Sequence, residues 1–263
     1  IKVMPAALAP VEQRPRSPVW SLLVSGSLLL VLWQVVVTVA HIPTWLLPSP
    51  LAVWQRFSEA LADGTLAMHL VPTLVESSAG FVVALVAGVS IGYFVAHSVR
   101  LERWLAPYLA AMQSVPIIAV APLLVVWTTS GLLRNILVAA IVVFFPIFSA
   151  TVVAVRGIPR ELREVAKVEG AHWWQTLRFV EIPLALPTLF SGIRTSLAYA
   201  TTGAVVAEFV GTRYGLGAMI NIARGLLDVP LLFVAIFCLI GITLVFYLVV
   251  TAVEHALTPW RDV

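Results

Sequence analysis

The sequence predicts an all-α membrane protein with six transmembrane helices. Three observations carry that reading. The chain of 263 residues is 60% hydrophobic and only 11% charged, where a soluble domain carries about a quarter of its residues charged. Its mean hydropathy is +1.00. Its Asp, Glu, Lys and Arg residues leave long windows empty, and about 20 consecutive apolar residues suffice for a helix to cross the hydrocarbon core. A soluble globule is excluded. The lone cysteine, Cys238, excludes a disulfide scaffold and a thiolate zinc centre, which take cysteines in sets, so no metal or other cofactor is expected in this chain.

Residues 1–18 form a Pro-rich basic arm containing Arg14, Pro15, Arg16 and Pro18. Residues 19–255 hold the spans and residues 256–263 form a tail. The first span covers 19–40. It ends in His41-Ile42-Pro43 rather than in a small-x-small cleavage site, so it reads as a retained helix and not a signal peptide. Leu47-Pro48-Ser49-Pro50 follows, then Val53, Phe57 and Leu61 at i, i+4 and i+8, then Asp63-Gly64. Ser49 can cap a helix, Pro50 suits its first turn and Gly64 can stop it. An amphipathic helix on the outer face results, fitted either to close the bundle or to meet a partner. The second span, 77–99, carries Ala84, Gly88, Gly92 and Ala96 on one face. Such a small-residue stripe lets helix backbones approach, within one subunit or between two. The third and fourth spans are 104–133 and 135–155, and the sixth is 229–253. The fifth, 184–210, is as apolar but contains Arg194 and Glu208.

Basic residues fix the orientation, because Lys and Arg are retained on the cytoplasmic side. Lys2, Arg14, Arg16, Arg100, Arg103, Arg156, Arg160, Arg163, Lys167, Arg178 and Arg261 fall on one set of faces; Arg56, Arg134, Arg213 and Arg224 fall on the other. Both termini are therefore cytoplasmic. Topology explains the net charge of +3, and no nucleic-acid partner is implied.

The inner connection, 156–183, is more than a linker. Pro159 can open a helix with Leu162, Val165 and Val168 on its apolar side, Gly170 can end it, and residues 172–178 suit a second short helix before Pro183. A solvated interfacial helix and a docking element both fit. Gly215-x-Gly217 has no βαβ unit around it and reads as a turn.

In the fifth span Ser191, Thr195, Tyr199 and Thr202 fall at i, i+4, i+8 and i+11, one polar stripe on an apolar helix. The stripe is the candidate lining of a translocation path, or else its hydroxyls bond back to their own helix carbonyls. Arg194 at membrane depth costs about 2.5–3.5 kcal/mol on insertion scales, so it faces protein or water. Glu208 lies about 21 Å further along the helix, so each needs its own partner. Glu208 and Glu76 each fit a gate or the outer interface. No span offers H-E-x-x-H or G-x-S-x-G, which argues against an intramembrane enzyme. An ion-coupled secondary carrier is the remaining alternative.

Glu164-Val165-Ala166, Gly170 and Val180-Glu181-Ile182-Pro183 keep, without a gap, the spacing of the EAA loop of binding-protein-dependent ABC transporter permeases. Val replaces the first Ala, and Val and Ile replace the Ile and Leu of its I-x-L-P end. Leu47-Pro48-Ser49-Pro50, residues 116–123, Phe145-Pro146, Gly192-Ile193-Arg194, Ala207-Glu208-Phe209 and Gly215-Leu216-Gly217 resemble the nitrate, sulfonate and taurine branch. That branch usually has Phe-Gly after a tryptophan where this chain reads Trp127-Thr128-Thr129-Ser130-Gly131. The resemblance covers roughly residues 45–255. It implies a type I ABC importer permease in a bacterial inner membrane, a second permease copy forming a homodimer, two ATP-binding cassette subunits and an external solute-binding protein. It makes the loop a coupling helix, with Glu164, Ala166, Gly170, Ile182 and Pro183 as its ATPase-contacting signature, while the residues themselves make Ser191, Thr195, Tyr199 and Thr202, with Arg194 and Glu208, the candidates for a translocation path. ATP and Mg would be bound by the ATPase, since neither Lys2 nor Lys167 lies in a phosphate-loop motif. Related permeases serve sulfonates and taurine, and others pyrimidine precursors and riboflavin, so the loop leaves the solute open.

Overall fold

The computed structural model describes residues 19–114 and 116–259. The N-terminal arm 1–18, with Lys2, Arg14 and Arg16, and the end of the tail, with Arg261, lie outside the described residues. Among the described residues every regular element is helical. Helix α1 is Val19–Val39, α2 Pro50–Ala62, α3 Thr65–His97, α4 Val99–Ser114, α5 Ile117–Trp127 and α6 Gly131–Arg156. Helix α7 is Arg160–Val168 and α8 Trp173–Thr176; a π-helical turn, Leu177–Glu181, leads into α9, Ile182–Phe209. Helices α10, Leu216–Gly225, and α11, Val229–Leu257, complete the chain.

Among the described residues four helical runs are long and apolar enough to cross a membrane: Thr65–His97, Gly131–Arg156, Trp173–Phe209 and Val229–Leu257. The predicted third span is corrected. Residues 104–133 are not one helix but parts of α4 and α5, of 16 and 11 residues, followed by a break at Thr128–Ser130 and the first turn of α6. Pro116, with its fixed φ and missing N–H, stands in extended backbone at the N-cap of α5, which separates that helix from α4. Helix α3 begins twelve residues before the predicted second span. Glu76, whose charge bounded that window, is buried and accepts a hydrogen bond from Asn135 Nδ2 at 2.9 Å. Arg134, expected in an outer connection, is buried beside it, with Nε donating to Asn135 Oδ1 at 3.2 Å.

Helix α2 forms as its sequence requires. Ser49 Oγ accepts the N–H of Ala52 at 3.2 Å, Pro50 occupies the first turn, and Gly64, at φ +79°, turns the chain into α3. Val53 and Ala60 of α2 join Leu66, Leu216, Met219, Leu231 and Val234 in one core cluster. Arg56 Nε meets Asp228 Oδ2 at 2.8 Å, and that hydrogen bond holds the guanidinium more firmly charged. Helix α1 lies against α11 through Trp33, whose ring is 5.7 Å from Phe233 and 6.3 Å from Phe237.

Helix α6 is the centre of the bundle, with α3 on one side and α9 on the other. Both approach it at residues without side chains. A Cβ on Gly80 would stand 2.6 Å from Ala139 Cβ, one on Gly88 2.9 Å from Ile147 Cγ2, and one on Gly92 2.8 Å from Thr151 Cβ. From α9, a Cβ on Gly203 would meet the Ala139 backbone at 2.8 Å, and Gly192 closes on Ala150. In α3, Gly88 and Gly92 of the small-residue stripe thus pack within this chain. Ala84, Ala140, Val143, Ile147 and Ala200 fill the space between the three helices. Overpacking such a contact costs about 1–3 kcal/mol. Gly92→Leu is expected to lower the thermal unfolding midpoint of the detergent-solubilised protein well below that of Gly241→Leu, whose site on α11 is open; equal midpoints would contradict the packing account.

Candidate functional site

Pro159 precedes α7, and its end is set by hydrogen bonds to Gly170 and Ala171. Gly170 N–H donates to Lys167 O at 3.0 Å and Ala171 N–H to Ala166 O at 2.9 Å, the paired bonds of a Schellman C-cap. That cap requires a left-handed residue, and Gly170 has φ +79°. The predicted apolar side of α7 is not covered by this chain. Leu162 and Val165 are exposed, and Val168 is 86% exposed. Glu164 points outward as well. Ala166 and Pro183 share the wall of an open groove with Leu162, Val165, Phe179, Val180 and Leu184, so the two halves of the EAA-like signature meet in space.

The second short helix predicted for 172–178 does not stand alone. Helix α8 continues through the π turn into α9 without a break. Pro183 explains the wide turn. It has no N–H for the carbonyl of Phe179, and its ring would crowd that carbonyl in a regular α-helix. The π turn, closed by the Ile182 N–H to Leu177 O, lets the helix run on past the proline.

In α9, Ser191, Thr195, Tyr199 and Thr202 lie on an exposed face. Thr195 Oγ1 donates to Ser191 O at 3.1 Å and Thr202 Oγ1 to Ala198 O at 2.8 Å, so both hydroxyls back-bond while their lone pairs remain outward. Beside them α9 and α11 form an open groove of about 560 Å³, lined in part by Thr201, Thr202, Thr243 and Tyr247. Thr201 and Thr243 are hydrogen-bonded to each other at 3.0 Å. Arg194 Nη1 meets Glu254 Oε2 of α11 at 2.8 Å. The partner that Arg194 needs is thus a carboxylate sixty residues on, and no local pattern could have found it.

Glu208 is placed apart from that face. It is 1% exposed and accepts from Thr73 Oγ1 of α3 and from the Gly217 N–H, both at 2.6 Å. Thr73 Oγ1 also accepts the Leu216 N–H at 2.7 Å, and His69 Nδ1 lies 2.8 Å from Gly215 O. Gly215, at φ +113°, leaves no room for a Cβ against the Glu208 carboxyl group. The Gly215-x-Gly217 turn is therefore seated on the Glu208 carboxyl group, which ties the N-terminus of α10 to α3 and α9. His69 and Thr73 precede the predicted second span, which hid their part in this clasp.

The geometry is that of a helical membrane subunit with a surface helix at its basic end, and comparison with known proteins agrees. Residues 84–260 match the family described as binding-protein-dependent transport system inner membrane component. The chain belongs to this family. It is the inner-membrane, multi-pass permease component of a binding-protein-dependent ABC importer, a system that implies a separate ATPase and a solute-binding protein, and it is not itself an enzyme. It is 52% identical to a riboflavin transport system permease protein of Chloroflexus aurantiacus over 249 residues, 95% of this chain and 93% of that one. A putative aliphatic sulfonates transport permease protein of Bacillus subtilis is 34% identical over 90% of this chain and 86% of its own length. A taurine transport system permease protein of Escherichia coli is 29% identical over 89% and 87%.

Thr73→Val would leave the buried Leu216 N–H without an acceptor, at about 1–3 kcal/mol. Its purified permease is expected to unfold at lower temperature than wild type, and Thr73→Ser close to wild type. Equal midpoints for the two variants would remove Thr73 from the clasp.

Proposed function

We propose that this permease carries riboflavin or a closely related uncharged heteroaromatic solute, delivered by an external binding protein. The 52% identity to the riboflavin permease over nearly the whole length of both chains carries this reading, against 34% and 29% for the sulfonate and taurine permeases. The chemistry of α9 agrees with it. Hydroxyls and aromatic rings can meet a flat ring system with a polyol tail, and the cation of this helix, Arg194, is matched by Glu254 at 2.8 Å, which leaves no spare positive charge for an anion. In this reading six spans, α1 and the two-part third segment included, place both termini in the cytoplasm. Two copies face each other across the stripe Ser191, Thr195, Tyr199 and Thr202. Arg194 neutralises Glu254 beside that path, and Glu208 holds its outer end in place.

Membrane vesicles containing the permease with its ATPase and binding protein are expected to take up radiolabelled riboflavin when ATP is supplied, with no competition from taurine. Thr202→Leu should slow that uptake about tenfold, the effect of removing roughly 1.4 kcal/mol of transition-state interaction, without loss of assembled complex. Taurine uptake in place of riboflavin would overturn the solute, and unchanged uptake by Thr202→Leu would remove the stripe from the path.

The ATPase docks on α7, with Glu164, Ala166 and Gly170 at the contact and Ile182 and Pro183 behind it. The uncovered side of α7 and the left-handed turn at Gly170 support this assignment. ATP and Mg are held by the ATPase. Gly170→Leu forces a side chain into that turn at a cost of about 1–2 kcal/mol. It is expected to leave the permease inserted but to lose the ATPase during affinity purification; full retention with wild-type uptake would sink the docking assignment.

A further inference from the structure

We infer that Arg163 and Glu181 form the mechanical link by which displacement of α7 reaches the spanning helices. The inference rests on α7 being the ATPase-docking helix. Glu181 is 4% exposed and sits in the π turn that begins α9. Three elements converge on its carboxylate. Arg163 Nε of α7 stands 2.8 Å from Oε1, His97 Nε2 at the end of α3 lies 3.0 Å from the same oxygen, and Tyr93 Oη of α3 donates to Oε2 at 2.9 Å. Arg163 also donates from Nη2 to Val155 O, at the end of α6, at 2.6 Å. Two side chains thus tie the surface helix to α3, α6 and α9, the three helices that form the centre of the bundle.

The physical setting makes this tie a transmitter and not only a brace. A carboxylate this deep is held by its charged and hydrogen-bonding partners, and removing one leaves the others unmatched. Arg163 therefore cannot move away from Glu181 without cost, and a shift of α7 pulls on the π turn, where the i→i+5 pattern already departs from regular helix geometry. By contrast, the remainder of α7 has few holds on this chain: Leu162, Val165 and Val168 are exposed. Displacement of the helix is thus directed through Arg163. Glu181 is a positioning residue, acting through Arg163 and through the helices it joins; it touches neither ATP nor solute.

The test uses the complete importer, permease with ATPase and binding protein, reconstituted in liposomes, with solute uptake and ATP hydrolysis measured on the same preparation. Glu181→Gln and Arg163→Gln are each expected to keep the ATPase bound and hydrolysing while uptake per ATP falls about fivefold or more. The double variant is expected to fall no further than either single one, because residues acting as one unit are not additive. Losses that multiply in the double variant, or wild-type uptake per ATP in Glu181→Gln, would overturn the link. If Glu181→Gln does not assemble, Arg163→Gln decides: it removes the guanidinium from the carboxylate, and wild-type uptake per ATP would overturn the proposal, whereas a reduced ratio with the ATPase retained would support it. Gly170→Leu run alongside separates the two ideas. A Gly170→Leu complex with full ATPase and uptake refutes docking on α7 itself, while loss of ATPase there together with wild-type coupling in Glu181→Gln refutes the link alone.

Discussion

The close approach of α3 and α9 to α6 is the constraint on which the other features depend. In a bilayer, burying apolar side chains between helices gains little over leaving them in lipid, so association relies on dispersion contacts at short range and on polar groups that find partners. Gly80, Gly88 and Gly92 on one side, and Gly192 and Gly203 on the other, bring three backbones within reach of one another around Ala139, Ala150 and Thr151. Every other device in the bundle assumes this spacing. Thr73 could not reach Glu208, nor Asn135 reach Glu76, if side chains held the helices apart.

Polar anchoring is placed at the two ends of that packed centre. At one end Glu208 receives Thr73 and the N-terminus of α10, and Arg56 holds Asp228 between α2 and α11. At the basic end Glu181 receives Tyr93, His97 and Arg163, while Arg156 donates to Glu102 at 2.6 Å and to the Val95 carbonyl at 3.3 Å. The exposed Glu102 carboxyl group is held below its ordinary range by that hydrogen bond. Glu208 and Glu181 each receive donors from other helices, so each closes a junction between elements. Between the two ends lies an interior of small and aliphatic residues.

The uncovered surfaces then acquire meaning from the family to which the chain belongs. Exposed apolar residues along α1 and α11 are ordinary for helices in lipid. Those on α7 lie instead at the basic end, next to a glycine turn and a groove that joins both halves of the EAA-like signature. The hydroxyl-bearing face of α9 is similarly outward on a single subunit, and in the proposed function two copies share a path along it. In that proposal neither surface is complete within one chain, which is why the partners enter the functional account.

Much of the architecture was legible in the linear pattern. Long windows without charge located α1, α3, α6 and α11, and apolar length located α9 despite Arg194 and Glu208, because crossing a membrane demands sustained apolar length. Ser49-Pro50 and Gly64 bounded α2, and Gly170 foretold a left-handed turn, because caps and glycine conformations are local properties. The spacing from Glu164 to Pro183 pointed to the family. Other features were decided only by tertiary structure. The break at Pro116 divided a window that hydropathy alone joined, and the π turn fused two helices that Pro183 suggested were separate. Glu76 and Arg134, read as boundaries, proved to be interior. Thr73 and Glu208 stand 135 residues apart, and Tyr93 and Glu181 stand 88 apart. Periodicity reports which face of a helix is apolar; which distant group satisfies a buried carboxylate depends on how the helices cross, and only the packed bundle sets that.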